Sequence, residues 1–157
     1  MLSADHVVFP IWDAEGSLAF YGEVMGLPLT GAITGADWGS KPWLMLLYAL
    51  SDGRELVLVS LRGAKRPPPD GLAPDVRHYA FAVASDEALA AWRARLTAAK
   101  VAVTDEDHGD QRSIYFTDPN GVVLEITTPA SAAEPIANPA ALEKARAWIS
   151  QSLALTQ

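Results

Sequence analysis

The chain has 157 residues, half of them hydrophobic and one-fifth charged, a net charge of −7 and no cysteine. It is long enough for one globular core. It excludes disulfides, thiolate metal sites and cysteine nucleophiles, and its acidity, with no basic face, argues against nucleic acid as a partner. No apolar run approaches the ~20 residues of a membrane span, and MLSADHVVFP lacks the basic-then-apolar layout of a signal peptide, so a cytoplasmic location is expected.

Residues 5–12 alternate as a strand, with His6, Val8, Pro10 and Trp12 on one side and Val7, Phe9 and Ile11 on the other. Pro10 marks an edge strand, because it cannot donate to a ladder. Asp13 is placed to cap a helix in which Leu18, Tyr21, Val24 and Met25 recur at helical spacing, and Gly26 with Pro28 stops it. Three strand signals follow. The first, 29–33, is weak. The second, 43–50, is almost wholly apolar and reads as buried. The third, Glu55–Leu61, returns from the turn Ser51-Asp52-Gly53. The segment 63–75 is a linker, since AKRPPPDGLAP has too much proline for a helix or central strand.

The order then repeats. Residues 76–84 read as a strand, and Ser85 or Asp86 caps a helix to about Ala99 with Leu89, Trp92 and Leu96 on one stripe. Short strands are expected at 101–105 and 113–117. Asp118-Pro119-Asn120-Gly121 is a tight turn, and 122–127 is the last strand. Beyond Pro129 the chain is loop-like until Asn138 and Pro139 open a final helix. Its stripe of Leu142, Ala145, Trp148, Ile149 and Leu153 is expected to pack on the domain or on a second subunit.

His6 and His78 open the two copies. Each is followed by a Phe three residues on (Phe9, Phe81) and an aromatic fourteen residues on (Phe20, Trp92). Such a repeat points to a pseudo-two-fold domain whose equivalent positions can meet around one site. Glu125, flanked by Val123, Leu124 and Ile126, needs a compensator if it is buried, either a metal or an Arg. Two imidazoles and a carboxylate are the usual protein share of an open divalent-metal site. The plain alternatives are structural histidines and a solvent-facing Glu.

HVVFPIWDAEGSLAFYGEVMGLPL, RHYAFAVASDEALAAWRARLTAAKV and SIYFTDPNGVVLEITTP together resemble the vicinal oxygen chelate superfamily over about residues 5–129. That superfamily includes glyoxalase I, fosfomycin-resistance enzymes, extradiol dioxygenases and bleomycin-binding proteins. The resemblance implies an α+β fold: paired βαβββ modules, about 5–62 and 76–129, forming a mostly antiparallel curved sheet around a central cleft, plus the C-terminal helix in 130–157. It implies one divalent ion (Fe, Mn, Ni or Zn) held by His6, His78 and Glu125, and a small substrate that chelates it through adjacent oxygens. The extra carboxylate or amide ligand of glyoxalase I falls at about Val57 or Leu58, both apolar, which favours a three-ligand site.

HYAFAV and SIYFTDPNG are similar to the fosfomycin-resistance transferases, whose cation- and phosphonate-binding loop residues are not evident here. His108, Tyr115, Asp118, Gly121 and Glu125 nearly match the extradiol dioxygenase signature, departing at Glu106; by that likeness His108 and Tyr115 are acid/base groups beside the metal. Trp12, Trp38 and Trp43, with Met45, are candidates for the cavity wall. Two-module members often form homodimers, so His6 of one subunit joining His78 and Glu125 of the other stays open beside an intrachain site. The rival readings are a metal-free drug- or small-molecule-binding protein of the same fold and a scaffold that binds partners through the C-terminal helix.

Overall fold

The computed structural model describes residues 4–128 and 138–154. The first half contains β1 (His6–Pro10), α1 (Ala14–Ala19), β2 (Leu29–Gly35), β3 (Trp43–Ala49) and β4 (Glu55–Leu61). The second half contains β5 (His78–Ala82), α2 (Asp86–Ala98), β6 (Thr104–Asp107), β7 (Arg112–Thr117) and β8 (Val123–Thr127), and α3 (Pro139–Ala154) follows. Each half is a four-stranded mixed sheet, in order β1-β4-β3-β2 and β5-β8-β7-β6, and the two do not close into a barrel. The paired βαβββ architecture is therefore present. In each sheet the first and last strands run parallel and the other neighbours antiparallel.

Local chemistry accounts for the elements. Asp13 caps α1 by accepting from the Gly16 amide at 2.8 Å, and Ser85 caps α2 by accepting from Ala88. After α1 the chain widens into a π-turn over Phe20–Val24, in which Met25 N–H donates to the Phe20 carbonyl at 2.8 Å. That extra residue lets the consecutive aromatics Phe20 and Tyr21 both be buried. Pro10 lies on β1, an edge of its sheet, as its missing donor requires. The strand expected at 101–105 is displaced to Thr104–Asp107, where its ladder with β7 runs from Thr104–Tyr115 to Asp107–Arg112. Asn138 caps α3 through the Ala140 amide. On α3, Leu142, Trp148 and Ile149 are each more than half exposed in the single chain, at 53%, 68% and 52%.

One continuous core joins the halves. Phe9, Leu46, Tyr48, Leu56 and Leu58 from the first sheet and Ile114, Phe116, Leu124 and Ile126 from the second meet Phe20, Tyr21, Leu89 and Leu96 of the helical segments. Each sheet thus spends one face on this core, which leaves its opposite face open. For that reason β3, read from sequence as fully buried, is only half-buried.

The second half also clamps both ends of the first half's helix. Asn120, buried in the tight turn, accepts from the Trp12 and Asp13 amides at 2.6 and 2.9 Å and donates to Ser17 Oγ at 2.8 Å. Arg95 of α2 donates to the carbonyls of Glu23 and Val24 at the far end. Gly26 is required there: it has φ of 69°, and a Cβ would sit 2.5 Å from the Arg95 guanidinium. Tyr21 donates to Asp118 at 3.0 Å in the same buried network.

Candidate metal centre

The register decides what each open face carries. In the second sheet Ala80 pairs with Glu125, Glu125 with Tyr115, and Thr127 with Ser113. His78, Glu125, Tyr115 and Ser113 therefore share one face. In the first sheet Val8 pairs with Val57, Val57 with Leu47, and Val59 with Met45. Val57 is thus the counterpart of Glu125, which resolves the choice between positions 57 and 58. Leu47 stands for Tyr115 and Met45 for Ser113. Glu55 lies level with His6, at the place of Val123.

Glu125 is 6% exposed, so its carboxylate needs partners. Ser113 Oγ donates to Oε1 at 2.5 Å, and Oε2 lies 3.0 Å from His78 Nε2. His78 Nδ1 in turn lies 2.7 Å from the Asp75 carbonyl. A carbonyl only accepts, so Nδ1 carries the proton and directs the Nε2 lone pair towards Glu125. Two lone-pair atoms at that distance call for a cation between or beside them: a second imidazole proton or a metal ion. Donors about 2.1 Å from a common ion and at right angles are about 3.0 Å apart, so the separation suits two adjacent ligands. The Asp75 and Ser113 contacts are of the kind that orients imidazoles and carboxylates in metal sites. Neither was legible in the sequence, since Asp75 acts through its backbone and Ser113 is identified only by the β7–β8 register.

Tyr115 packs edge-on to His78 with ring centroids 5.5 Å apart, and its hydroxyl lies 3.4 Å from His108 Nε2. Burial, reinforced by the neighbouring Glu125 carboxylate, pushes the Tyr115 phenol up to about 12. It is accordingly a proton-bearing donor at neutral pH. His108 is exposed and in contact with solvent.

His6 lies elsewhere. It is half-exposed and its Nδ1 meets Asp5 at 2.8 Å. Among the described residues, no three His, Asp or Glu side chains are grouped so that they could hold an ion. His6 lines a cleft of about 970 Å³ with Glu55, Tyr79, Phe81, Trp92 and Arg95, which includes neither His78 nor Glu125. Trp12 and Trp38 line a separate groove of about 260 Å³ with Val8, Pro10, Val59 and Leu61. Trp43 stacks edge-on behind Trp38 at 5.5 Å.

Residues 3–126 match the Glyoxalase/Bleomycin resistance protein/Dioxygenase superfamily. The chain belongs to this superfamily. Among its relatives is the metallothiol transferase FosB of Lysinibacillus sphaericus, 30% identical over 131 residues that cover 80% of this chain and 82% of that one. The glutathione transferase FosA of Serratia marcescens is 31% identical over 130 residues, 79% of each chain. A solved glyoxylase/bleomycin resistance protein/dioxygenase domain from Frankia sp. EAN1pec superposes with a TM-score of 0.67 at 22% identity, covering 82% of this chain and 98% of that one. Two transferases, one of them a metallothiol transferase, are thus among its relatives, and among the described residues no helix is long and apolar enough to cross a membrane.

Proposed function

We propose that the protein is a divalent-metal-dependent transferase or lyase, with an ion held by His78 and Glu125 of one subunit and His6 of a second copy. The observation that carries this reading is the His78–Glu125 pair, 3.0 Å apart with each partner oriented by its own outer hydrogen bond. A bound ion would act as a Lewis acid on a substrate chelating it through adjacent oxygens. Tyr115, held protonated, donates to the substrate oxygen on which negative charge develops, and His108 exchanges that proton with solvent. Ser113 keeps the carboxylate aimed at the ion.

The second copy is needed because His6 is remote from the other two ligands within the chain. It is favoured by the open apolar face of the first sheet, where Val8, Ile33 and Trp38 are 44%, 48% and 47% exposed. A C2 pair would bring that face against the polar face of the partner's second sheet.

Mixing His6→Ala and Glu125→Ala proteins tests the arrangement. Neither variant alone binds an equivalent of Mn2+. After subunit exchange a mixture regains about a quarter of the wild-type sites, because half of the dimers are mixed and each mixed dimer has one intact site. A mixture that regains none, while wild-type protein binds one ion per chain, overturns the shared site.

A further inference from the structure

The chain has two asparagines, Asn120 before Gly121 and Asn138 before Pro139. An Asn side chain can be attacked at Cγ by the main-chain nitrogen of the next residue. Glycine offers the least hindered nitrogen for this, and proline has no amide proton to give up. Asn120-Gly121 is therefore the one place in the sequence where this reaction is favoured.

The fold keeps the two reacting groups apart. Asn120 is 4% exposed. Its Oδ1 accepts from the Trp12 and Asp13 amides at 2.6 and 2.9 Å, and its Nδ2 donates to Ser17 Oγ at 2.8 Å and to Asp118 Oδ2 at 3.3 Å. The Gly121 amide donates to the Asp118 carbonyl at 3.0 Å. Trp12, Asp13 and Ser17 belong to the first half of the chain and Asn120 to the second. The carboxamide can turn onto its own main chain only when the halves part at this contact.

We infer that Asn120-Gly121 is a self-modifying site gated by the contact between the halves: it converts to an acidic residue when they part, and the product then opposes their closing. In the first step the Gly121 nitrogen bonds to Asn120 Cγ and the Cγ–Nδ2 bond breaks. The displaced amino group takes the Gly121 amide proton and leaves as ammonia. Water then opens the cyclic imide at one of its two carbonyls, giving Asp or its β-linked isomer, and no other reactant is needed. Asp at this place has lost the donor to Ser17. It also sets an oxygen against Asp118, itself 4% exposed, where an N–H now donates. Two buried carboxylates in contact are unfavourable. The β-linked isomer adds a methylene to the main chain of a turn closed by the Asp118 amide on the Val122 carbonyl at 2.9 Å. That turn joins the strands that carry Ser113 and Glu125. Because ammonia is lost, the chain keeps a record of having opened.

Peptide mass mapping after incubation in mildly alkaline buffer tests this, on wild-type protein folded and in urea, with Asn138 as the internal control. The unfolded chain should convert at Asn120 and not at Asn138. The folded chain should convert at least roughly tenfold more slowly, since only its open fraction reacts. Arg95→Ala removes the contacts to the Glu23 and Val24 carbonyls at the far end of the same helix without touching Asn120. It should speed conversion severalfold in the folded protein and leave the rate in urea unchanged; Arg95→Lys takes its place if the alanine variant does not fold. Asn120→Asp should unfold at a lower urea concentration than wild type. Conversion as fast in the folded as in the unfolded chain overturns the inference. So does an Arg95 variant that converts at the wild-type rate, or an Asn120→Asp protein as stable as wild type.

Discussion

The two sheets have the same strand order, the same register and a histidine at the same place, yet their open faces have opposite chemistry. Met45, Leu47, Val57 and Val59 in the first occupy the places of Ser113, Tyr115, Glu125 and Thr127 in the second. The first face is a wall and the second is a set of donors and acceptors. The duplicated scaffold therefore holds one polar site and one apolar surface, where strict symmetry would have given two half-sites. Only the histidine is common to both, which is why the proposed shared site draws His6 from the apolar face.

The difference can be broken at its centre. Glu125→Ala removes the buried carboxylate of the polar face. Metal affinity should fall by more than the roughly 100-fold that marks the upper range for loss of a supporting hydrogen bond, as read by metal content after dialysis. The reverse experiment, Val57→Glu, writes the polar chemistry into the apolar face. Val57 is 4% exposed, so the unpaired carboxylate should destabilise the protein by about 3 kcal/mol in chemical denaturation. Addition of Mn2+ should recover part of that loss if position 57 lies beside the ion.

Ser113→Ala takes a hydrogen bond from the buried Glu125 carboxylate, so it should cost about 2 kcal/mol and weaken metal binding roughly tenfold; an unchanged affinity would mean that the carboxylate is aimed by the ladder alone. The clamp between the halves has a smaller expected effect. Asn120→Ala leaves the part-buried amides of Trp12 and Asp13 without their acceptor, at about 1 kcal/mol. Its metal affinity should drop only if the modules must be held in register for the site to form.

The smallest effect concerns Tyr21, which belongs to the core and not to either open face. Burial, with Asp118 beside it, raises its phenol well above the ordinary 10.0. The folded state keeps this proton where the unfolded chain releases it. Stability from this source is whole below pH 10.0 and declines as the pH climbs above that value. Tyr21→Phe should cost ~1 kcal/mol at neutral pH and flatten the alkaline decline in thermal melts.

Periodicity carried most of the fold. Asp13, Ser85 and Asn138 were recognisable as caps, and Glu55–Leu61 as a strand, because short-range hydrogen bonding and alternation are written locally. Thr104–Asp107 was misplaced because its four residues, TDED, have no apolar alternation, and only pairing with β7 makes them a strand. The face of β3 was misread for a related reason. An apolar run looks the same whether a sheet is covered on both sides or awaits a partner.

For the candidate site, the sequence by itself determined which residue types were available: His6 and His78 at equivalent places, and a Glu embedded among aliphatics that had to be compensated. Tertiary structure alone decided which of them meet. His78 and Glu125 lie on adjacent strands of one ladder, 3.0 Å apart, while His6 belongs to the other sheet and is not grouped with them. The physical reason is that a carboxylate and an imidazole 47 residues apart in the chain come together only through strand order, and the groups that aim them, the Ser113 hydroxyl and the Asp75 carbonyl, are supplied by register and backbone and not by any local pattern.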